Sequence, residues 1–477
     1  MEILYSLKNI ELGYRAIESV SGNRLKIAAL TGLTLDIYRN ELLVILGANG
    51  SGKSSLGKLL AGLADGFTGD MYYQGRKVES YKRELFSDTT MVLQEPQNQL
   101  LMPSVAKELA YPLENRYLAA DKIAEKAGET AGYFGLNQLL DKSPDQLSGG
   151  QITSLALASA LITDPSTIIL DEPDSHFDED RESKLLEFIE NNRGSKTIVL
   201  ITQYIKLAQI ADRVAIMHNG KIAAIGKPSE ILDDKARLAE ANLIADENNS
   251  DITKDNIPIS SQNTIISLSN ISYSYPDNQS ALSDISLDIL TGERLGIHGE
   301  IGSGKTTLGL IIAGLIEPVS GKATINEKPL DSYPERELRR LITMSLQFPE
   351  RAVFEDSVGA DIAFGPGNLE LPAIDSIVDN QLRDFGIDHL RNRHPFTLSG
   401  GEKRKAALAG IFAMNTQVVI LDEPTAALDP KSYRSLIEMI TKCEAKTFIL
   451  ISHDLDFLKS TCHRLIELRE GRIITNG

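Results

Sequence analysis

"LGANGSGKSS" (46–55) and "HGEIGSGKTT" (298–307) both fit the pattern G-x-x-x-x-G-K-[ST], each directly after a β-type run. The glycines let the backbone curl so that successive N–H groups, and the start of the following helix, face phosphate oxygens. Lys53 or Lys305 adds positive charge, and Ser54 or Thr306 is placed to reach Mg²⁺. The expected nucleotide cradle is therefore Gly47, Ala48, Asn49, Gly50, Ser51, Gly52, Lys53, Ser54 and Ser55 in one place. In the other it is Gly299, Glu300, Ile301, Gly302, Ser303, Gly304, Lys305, Thr306 and Thr307. A single chance match has a probability on the order of 10⁻² in a chain of this length, so two in the same context exclude coincidence.

The second occurrence is part of a larger repeat. "LSGGQ" (147–151) matches "LSGGE" (398–402), and "IILDEP" (168–173) matches "VILDEP" (419–424). Lys53 and Lys305 stand 252 residues apart, Ser148 and Ser399 251, Asp171 and Asp422 251, and Gln203 and His453 250. A nearly constant offset implies duplication of a whole domain, giving one at 1–245 and another at 264–477. Between them "DENNSDITKDNIPISSQN" (246–263) is polar, acidic and without hydrophobic periodicity, as expected of a linker.

Within each copy β-branched runs alternate with longer amphipathic stretches, which predicts an α/β layer with a mostly parallel core sheet. "SLKNIELGY" and "SLSNISYSY" open the copies with alternating patterns, predicting a small antiparallel sheet ahead of each core. The stretch 119–136 predicts an inserted helical subdomain.

The net charge of −17 argues against a chain built mainly to hold nucleic acid. Cys443 and Cys462 form no CxxC pair, which excludes an iron–sulfur or structural zinc site and fits reduced thiols in a cytosolic protein. The N-terminus reads as no secretory signal, and no apolar run reaches the roughly 18–20 residues needed to span a bilayer. A membrane role would have to go through a partner.

The acidic pairs follow from the phosphate site. Asp171 and Asp422 close hydrophobic strands, where a carboxylate can hold the water shell of Mg²⁺. Glu172 and Glu423 come next and would face the γ-phosphate, placed to orient or deprotonate an attacking water.

LSGGQ and LSGGE, each followed by a helix and then by the acidic strand, resemble the signature of ATP-binding-cassette ATPases, a likeness covering nearly the whole chain twice. It implies two P-loop NTPase domains in tandem, pairing head to tail so that the signature residues of one close over ATP held by the other. Those residues would be Ser148, Gly149, Gly150 and Gln151, and Ser399, Gly400, Gly401 and Glu402. By the same resemblance Gln94 and Gln347 touch Mg²⁺ and report to a membrane partner, while Tyr14 and Tyr275 are candidates for stacking on adenine. Mg²⁺ ligation is thus expected from Ser54, Gln94, Asp171, Thr306, Gln347 and Asp422, with Glu423, His453 and Glu172 as the catalytic set.

The copies are not equal. His453 resembles the family's switch histidine, whereas Gln203 stands in its place in the first copy and cannot become a cation. The expectation is slow hydrolysis at the Gln203 site and most turnover at the His453 site. "TAALD" (425–429) resembles the family's D-loop, but the first copy reads "DSHFD" (174–178), departing at His176 and Phe177. The first copy also has "ITSLALA" after its signature where the second has "KRKAALA".

The segments 94–112 and 347–365 carry the same spacing, and the second, with "AFGP" at 363–366, resembles the ATPases of energy-coupling-factor importers of vitamins or Ni²⁺/Co²⁺. That implies an integral membrane coupling protein and a membrane substrate-binding subunit as partners, no nucleic acid, and a peripheral position on the cytoplasmic face of the cell membrane. The alternatives are a soluble tandem cassette acting on ribosomes, and the ATPase of another transporter class such as sugar import. A long charged helical linker would mark the ribosomal type, and loss of catalytic residues in the second half would mark a fused sugar importer.

Overall fold

The computed structural model describes residues 2–17, 24–78, 82–94, 96–147, 149–173, 179–244, 262–275, 280–300, 302–347, 349–426, 428–443 and 445–474. Ser148, Ile301, the 174–178 segment with His176 and Phe177, and nearly all of the expected linker lie outside the described residues. Contacts divide the chain into two compact units, the first built on Lys26–Ala245 and the second on Asp246–Gly477.

In the first unit a six-stranded sheet runs Thr89–Val92, Thr167–Asp171, Thr197–Thr202, Leu42–Leu46, Arg213–His218 and Lys221–Gly226 from edge to edge. The pairings are parallel except the last, which is an antiparallel hairpin. The second unit repeats that order with Ile342–Ser345, Val418–Asp422, Thr447–Ile451, Arg294–His298, Arg464–Arg469 and Arg472–Ile474.

The sequence of the central strands explains why both faces are covered. Every residue of "LLVIL" (42–46) is buried, and side chains alternate between faces with period two. Leu43 and Ile45 join one core together with Leu33, Leu56 and Tyr73, while Leu42, Val44 and Leu46 join another with Leu185, Phe188 and Ile231. In the second unit Ile420 and Ile449 face the first kind of core, and Val419, Leu421 and Phe448 the other.

A four-stranded sheet lies beside each core, ordered Arg24–Tyr38, Ile3–Ile17, Thr68–Tyr73, Arg76–Lys77 and Ser280–Leu290, Thr264–Ser274, Ser320–Ile325, Lys328–Pro329. The registered pairings in it are antiparallel. The helical insertions are Val105–Glu114 with Ala120–Tyr133, and Val358–Asn368 with Ile374–Asp384. Their first helices start at Ser104 and Ser357, whose side chains accept from the N–H of Lys107 and Ala360. Among the described residues no helix is long and apolar enough to cross a membrane.

Ile420 sits at 0% exposure in a strand flanked on both sides. Ile420→Ala should cost about 2–5 kcal/mol. Scanning calorimetry of the full chain should show the transition of the second unit moving down while that of the first stays in place. A loss below about 1 kcal/mol would contradict this packing.

Candidate active site

Parallel pairing aligns the carboxyl ends of three adjacent strands in each unit, with Leu46 beside Thr202 and Asp171 beside Ile201. The phosphate loop leaves the first of these ends, the acidic pair the second and the switch position the third. That edge is where open α/β sheets bind ligands.

Gly52 and Gly304 precede the helices Lys53–Leu60 and Lys305–Ile312, with φ of 101° and 100°. A Cβ at either would strike a backbone carbonyl, Ala29 O or Ala281 O, so only glycine permits this turn. Lys53 Nζ folds back to donate to the carbonyls of Gly47 and Ala48 at 2.7 and 3.1 Å, and Lys305 Nζ to those of Gly299 and Glu300 at 2.7 and 2.8 Å. A Cβ on Gly47 would fall on Ser51 Oγ and on the carbonyl of Met217. Ser51 Oγ and Ser303 Oγ are buried and accept or donate no hydrogen bond among the described residues. Burial without a partner is costly for a hydroxyl, and phosphate oxygens would supply the acceptor.

Ser54 Oγ donates to Asp171 Oδ1 at 3.1 Å, and Thr306 Oγ1 to Asp422 Oδ2 at 2.7 Å. Burial, reinforced by the charge of Glu172, pushes the Asp171 carboxyl up to about 6. Burial likewise pushes Asp422 up to about 6, against the hydrogen bond from Thr306. Paired hydroxyl and carboxylate oxygens are hard donors of the kind Mg²⁺ takes, and a divalent cation would relieve the cost of burying the carboxylate charge. The residues present therefore fit Mg²⁺.

The next residue turns the chain sharply. Glu172 and Glu423 adopt left-handed backbone, φ 45° and 49°, and each donates its N–H across the sheet edge, to Ile201 O and Ile451 O at 2.8 Å. For a residue with a Cβ this conformation is held by its surroundings and is common at active sites.

From here the two units diverge. Lys53 Nζ lies 3.1 Å from Glu172 Oε1, both side chains being about 5% exposed or less, and Gln94 Nε2 donates to Glu172 Oε2 at 2.8 Å. Gln203 is buried, and neither atom of its amide has a hydrogen-bond partner among the described residues. In the second unit Glu423 instead accepts from Ser452 Oγ at 3.1 Å and from the N–H of His453 at 3.1 Å, with His453 Nδ1 2.9 Å from Oε2. The hydrogen bond to Glu423 holds the imidazole above its usual range, against the effect of burial, and so favours the cation with Nδ1 donating. Burial lowers the Lys305 ammonium from its ordinary value, opposed by Glu423 and Asp422.

Tyr275 is 40% exposed and its hydroxyl lies 3.0 Å from Thr307 Oγ1, tying the ring to the phosphate-loop helix. Tyr273 packs edge-on against it, with centroids 5.2 Å apart. Tyr14, on the strand Ile3–Ile17, is 43% exposed. Gly149, Gly150 and Gln151 open the helix Gly149–Leu161. Ser399 caps Gly400–Ala413, and its hydroxyl and N–H both donate to Glu402 Oε2 at 2.8 Å. Gln347 is exposed.

Two supports, one of them buried, were absent from the sequence reading. Glu108 Oε2 accepts from the N–H groups of Leu101 and Met102 at 2.9 and 2.8 Å, and Asp361 Oδ1 from those of Phe354 and Glu355 at 3.0 and 3.2 Å. Each carboxylate, in the first turn of its helix, fixes the loop that follows Gln94 or Gln347. An acidic residue four places after the capping serine was the available signal in both units.

Comparison with known proteins identifies the family. The sequence model of the ABC transporter family matches residues 30–175 and again 282–426. A protein of Methanosarcina acetivorans named as an ABC transporter ATP-binding protein is 30% identical over 467 residues, 94% of this chain and 87% of its own. A Treponema denticola protein so named is 30% identical over 487 residues, 99% of this chain and 96% of its own. Among solved structures, cbiO1 from Clostridium perfringens, described as part of the ABC transporter complex cbiONQ, is 36% identical with a TM-score of 0.41, over 45% of this chain and 89% of that one. The chain belongs to the ABC transporter family and carries two ABC ATPase domains in tandem. It is an ATPase of that type.

The contact between His453 and Glu423 makes stability depend on pH. The imidazole is raised above its ordinary 6.5 in the folded chain, so its contribution is fully present below that value and is lost as pH rises through the raised value. Thermal unfolding from about pH 5.5 to 8.5 should show wild type ahead of His453→Gln in acid, with the lead shrinking toward alkaline pH. More than half of the ring's side chain is exposed, so the effect is small. A lead that grows with pH would contradict the assignment.

Proposed function

We propose that this chain powers a membrane importer of the energy-coupling-factor type, which takes up a vitamin or a transition metal, by ATP-driven closure of two unequal cassettes, and that it hydrolyses ATP mainly at the site of the second unit. In this reading the cassettes are 1–245 and 264–477, joined by 246–263. The observation that carries the asymmetry is the pair of glutamate environments. Glu172 is committed to Lys53 and Gln94, whereas Glu423 is held by Ser452 and His453.

The second unit's residues divide the work. The loop N–H groups, Ser303 and Lys305 bind the phosphates, and Tyr275 carries the adenine. Thr306 and Asp422, with Gln347, hold Mg²⁺, which when bound neutralises charge on the β- and γ-phosphates. Glu423 orients the attacking water and accepts its proton at a carboxylate oxygen, while His453 keeps that carboxylate in line through Nδ1. In the first unit Lys53, Ser54, Asp171, Gln94 and Tyr14 do the corresponding binding. Gln203 can donate a hydrogen bond but cannot bring a charge, which supports a holding role.

Partner docking is supported by exposed apolar side chains on the carboxylate-fixed loops. Leu101 is 69% exposed and Phe354 58%, the latter packed edge-on with Phe364 at 4.7 Å. Helices of an integral membrane coupling protein would cover them, with a membrane substrate-binding subunit completing the assembly. The chain would then be peripheral, at the cytoplasmic face.

Steady-state ATPase assays in the complex with the membrane partner test the asymmetry. Glu423→Gln should lower kcat about 10²-fold or more, and Glu172→Gln should leave most of it. Equal, near-complete losses would show that both sites must fire. Co-sedimentation tests the partner class, since the chain should follow vesicles that hold the coupling protein and not ribosomes.

A further inference from the structure

Arg404 lies on the helix Gly400–Ala413, five residues after the capping Ser399, and is 3% exposed. A buried guanidinium is tolerated only where acceptors receive its N–H groups. Here Nη2 donates to the backbone carbonyl of Glu423 and, at 3.4 Å, to that of Gln347. Both acceptors are peptide oxygens in functional segments. One belongs to the left-handed residue that follows the acidic strand, and the other to the glutamine that opens the partner-facing loop.

The peptide of Glu423 is thus fixed from two sides. Its N–H is held by Ile451 O across the sheet, and its carbonyl by Arg404. Both carboxylate oxygens of Glu423 stay with Ser452 and His453. One nitrogen, Nη2, serves both carbonyls, and the guanidinium's several N–H donors make that double contact possible.

At the offset of 251 between the signature serines, the first unit has Thr153 in this place. A threonine hydroxyl has one proton to donate and cannot join two carbonyls. There the glutamine and glutamate meet directly through Gln94 Nε2 and Glu172 Oε2, which occupies the carboxylate.

We propose that Arg404 is a positioning residue that ties the signature helix and the Gln347 loop to the backbone of Glu423, so that displacement of either is transmitted to the carboxylate that handles water. The proposal rests on the reading that the second-unit site does most of the turnover.

The test compares Arg404→Thr, Arg404→Lys and Glu423→Gln in the full chain, with kcat and KM for ATP normalised to folded protein by calorimetry. Arg404→Thr should lower kcat about tenfold or more with KM within about twofold, and Arg404→Lys, which keeps one charged donor, should recover part of it. A kcat for Arg404→Thr within about twofold of wild type, while Glu423→Gln is inactive, overturns the proposal and leaves the site reading intact. Turnover surviving in Glu423→Gln overturns the site reading itself, and the proposal with it. If the threonine variant does not fold, Arg404→Lys and Arg404→Gln decide, because wild-type kcat in both would show the tie to be structural only.

Discussion

Parallel pairing of three neighbouring strands is the constraint on which both sites depend. The strands Leu42–Leu46, Thr197–Thr202 and Thr167–Asp171, and their counterparts in the second unit, end at one edge because their hydrogen bonds run in register. A slip of one residue would send Leu43 and Ile45 into the other core and move the acidic pair off the edge. The buried apolar alternation that stabilises each unit is therefore also what aligns lysine, carboxylates and switch residue to within hydrogen-bonding distance.

The two edges handle the burial of charge differently. In the first unit Lys53 and Glu172 meet in a nearly solvent-free pair, where mutual attraction offsets part of the desolvation of each. An incoming phosphate would take over the lysine and leave the glutamate to Gln94. The lysine of either unit also rests on loop carbonyls, but in the second Glu423 has His453 for a neighbour, and that contact holds the imidazole above its usual range. The single exchange of imidazole for amide thus accompanies a rearrangement of the whole carboxylate network.

Much of this was legible in the sequence. The α/β layers, the mixed sheets, the helical insertions and the duplicated phosphate loops follow from hydrophobic periodicity and from motifs whose glycines have one geometric meaning. The hydrogen bonds of Ser54 with Asp171 and of Thr306 with Asp422 join residues more than 100 positions apart, and the P-loop reading had already named both partners. What stayed hidden were contacts fixed by tertiary placement. Neither the Lys53–Glu172 pair nor the loop-holding roles of Glu108 and Asp361 leave a periodic trace. In the sequence Arg404 is one of the basic residues of "KRKAALA", and its burial against two carbonyls distinguishes it from Lys403, which lies near the ring of Phe396.

The close approach of Gly52 to Ala29 O and of Gly304 to Ala281 O has a consequence for how the halves could drift apart. Each antiparallel sheet abuts its phosphate loop with no room for even a methyl group, and a backbone oxygen cannot be shortened by mutation. That seam behaves as a fixed datum, the same in both copies to within one degree of φ. The copies differ instead in side chains, at Gln203 against His453 and at Thr153 against Arg404, so the chemistry around each carboxylate can change without recutting the mould.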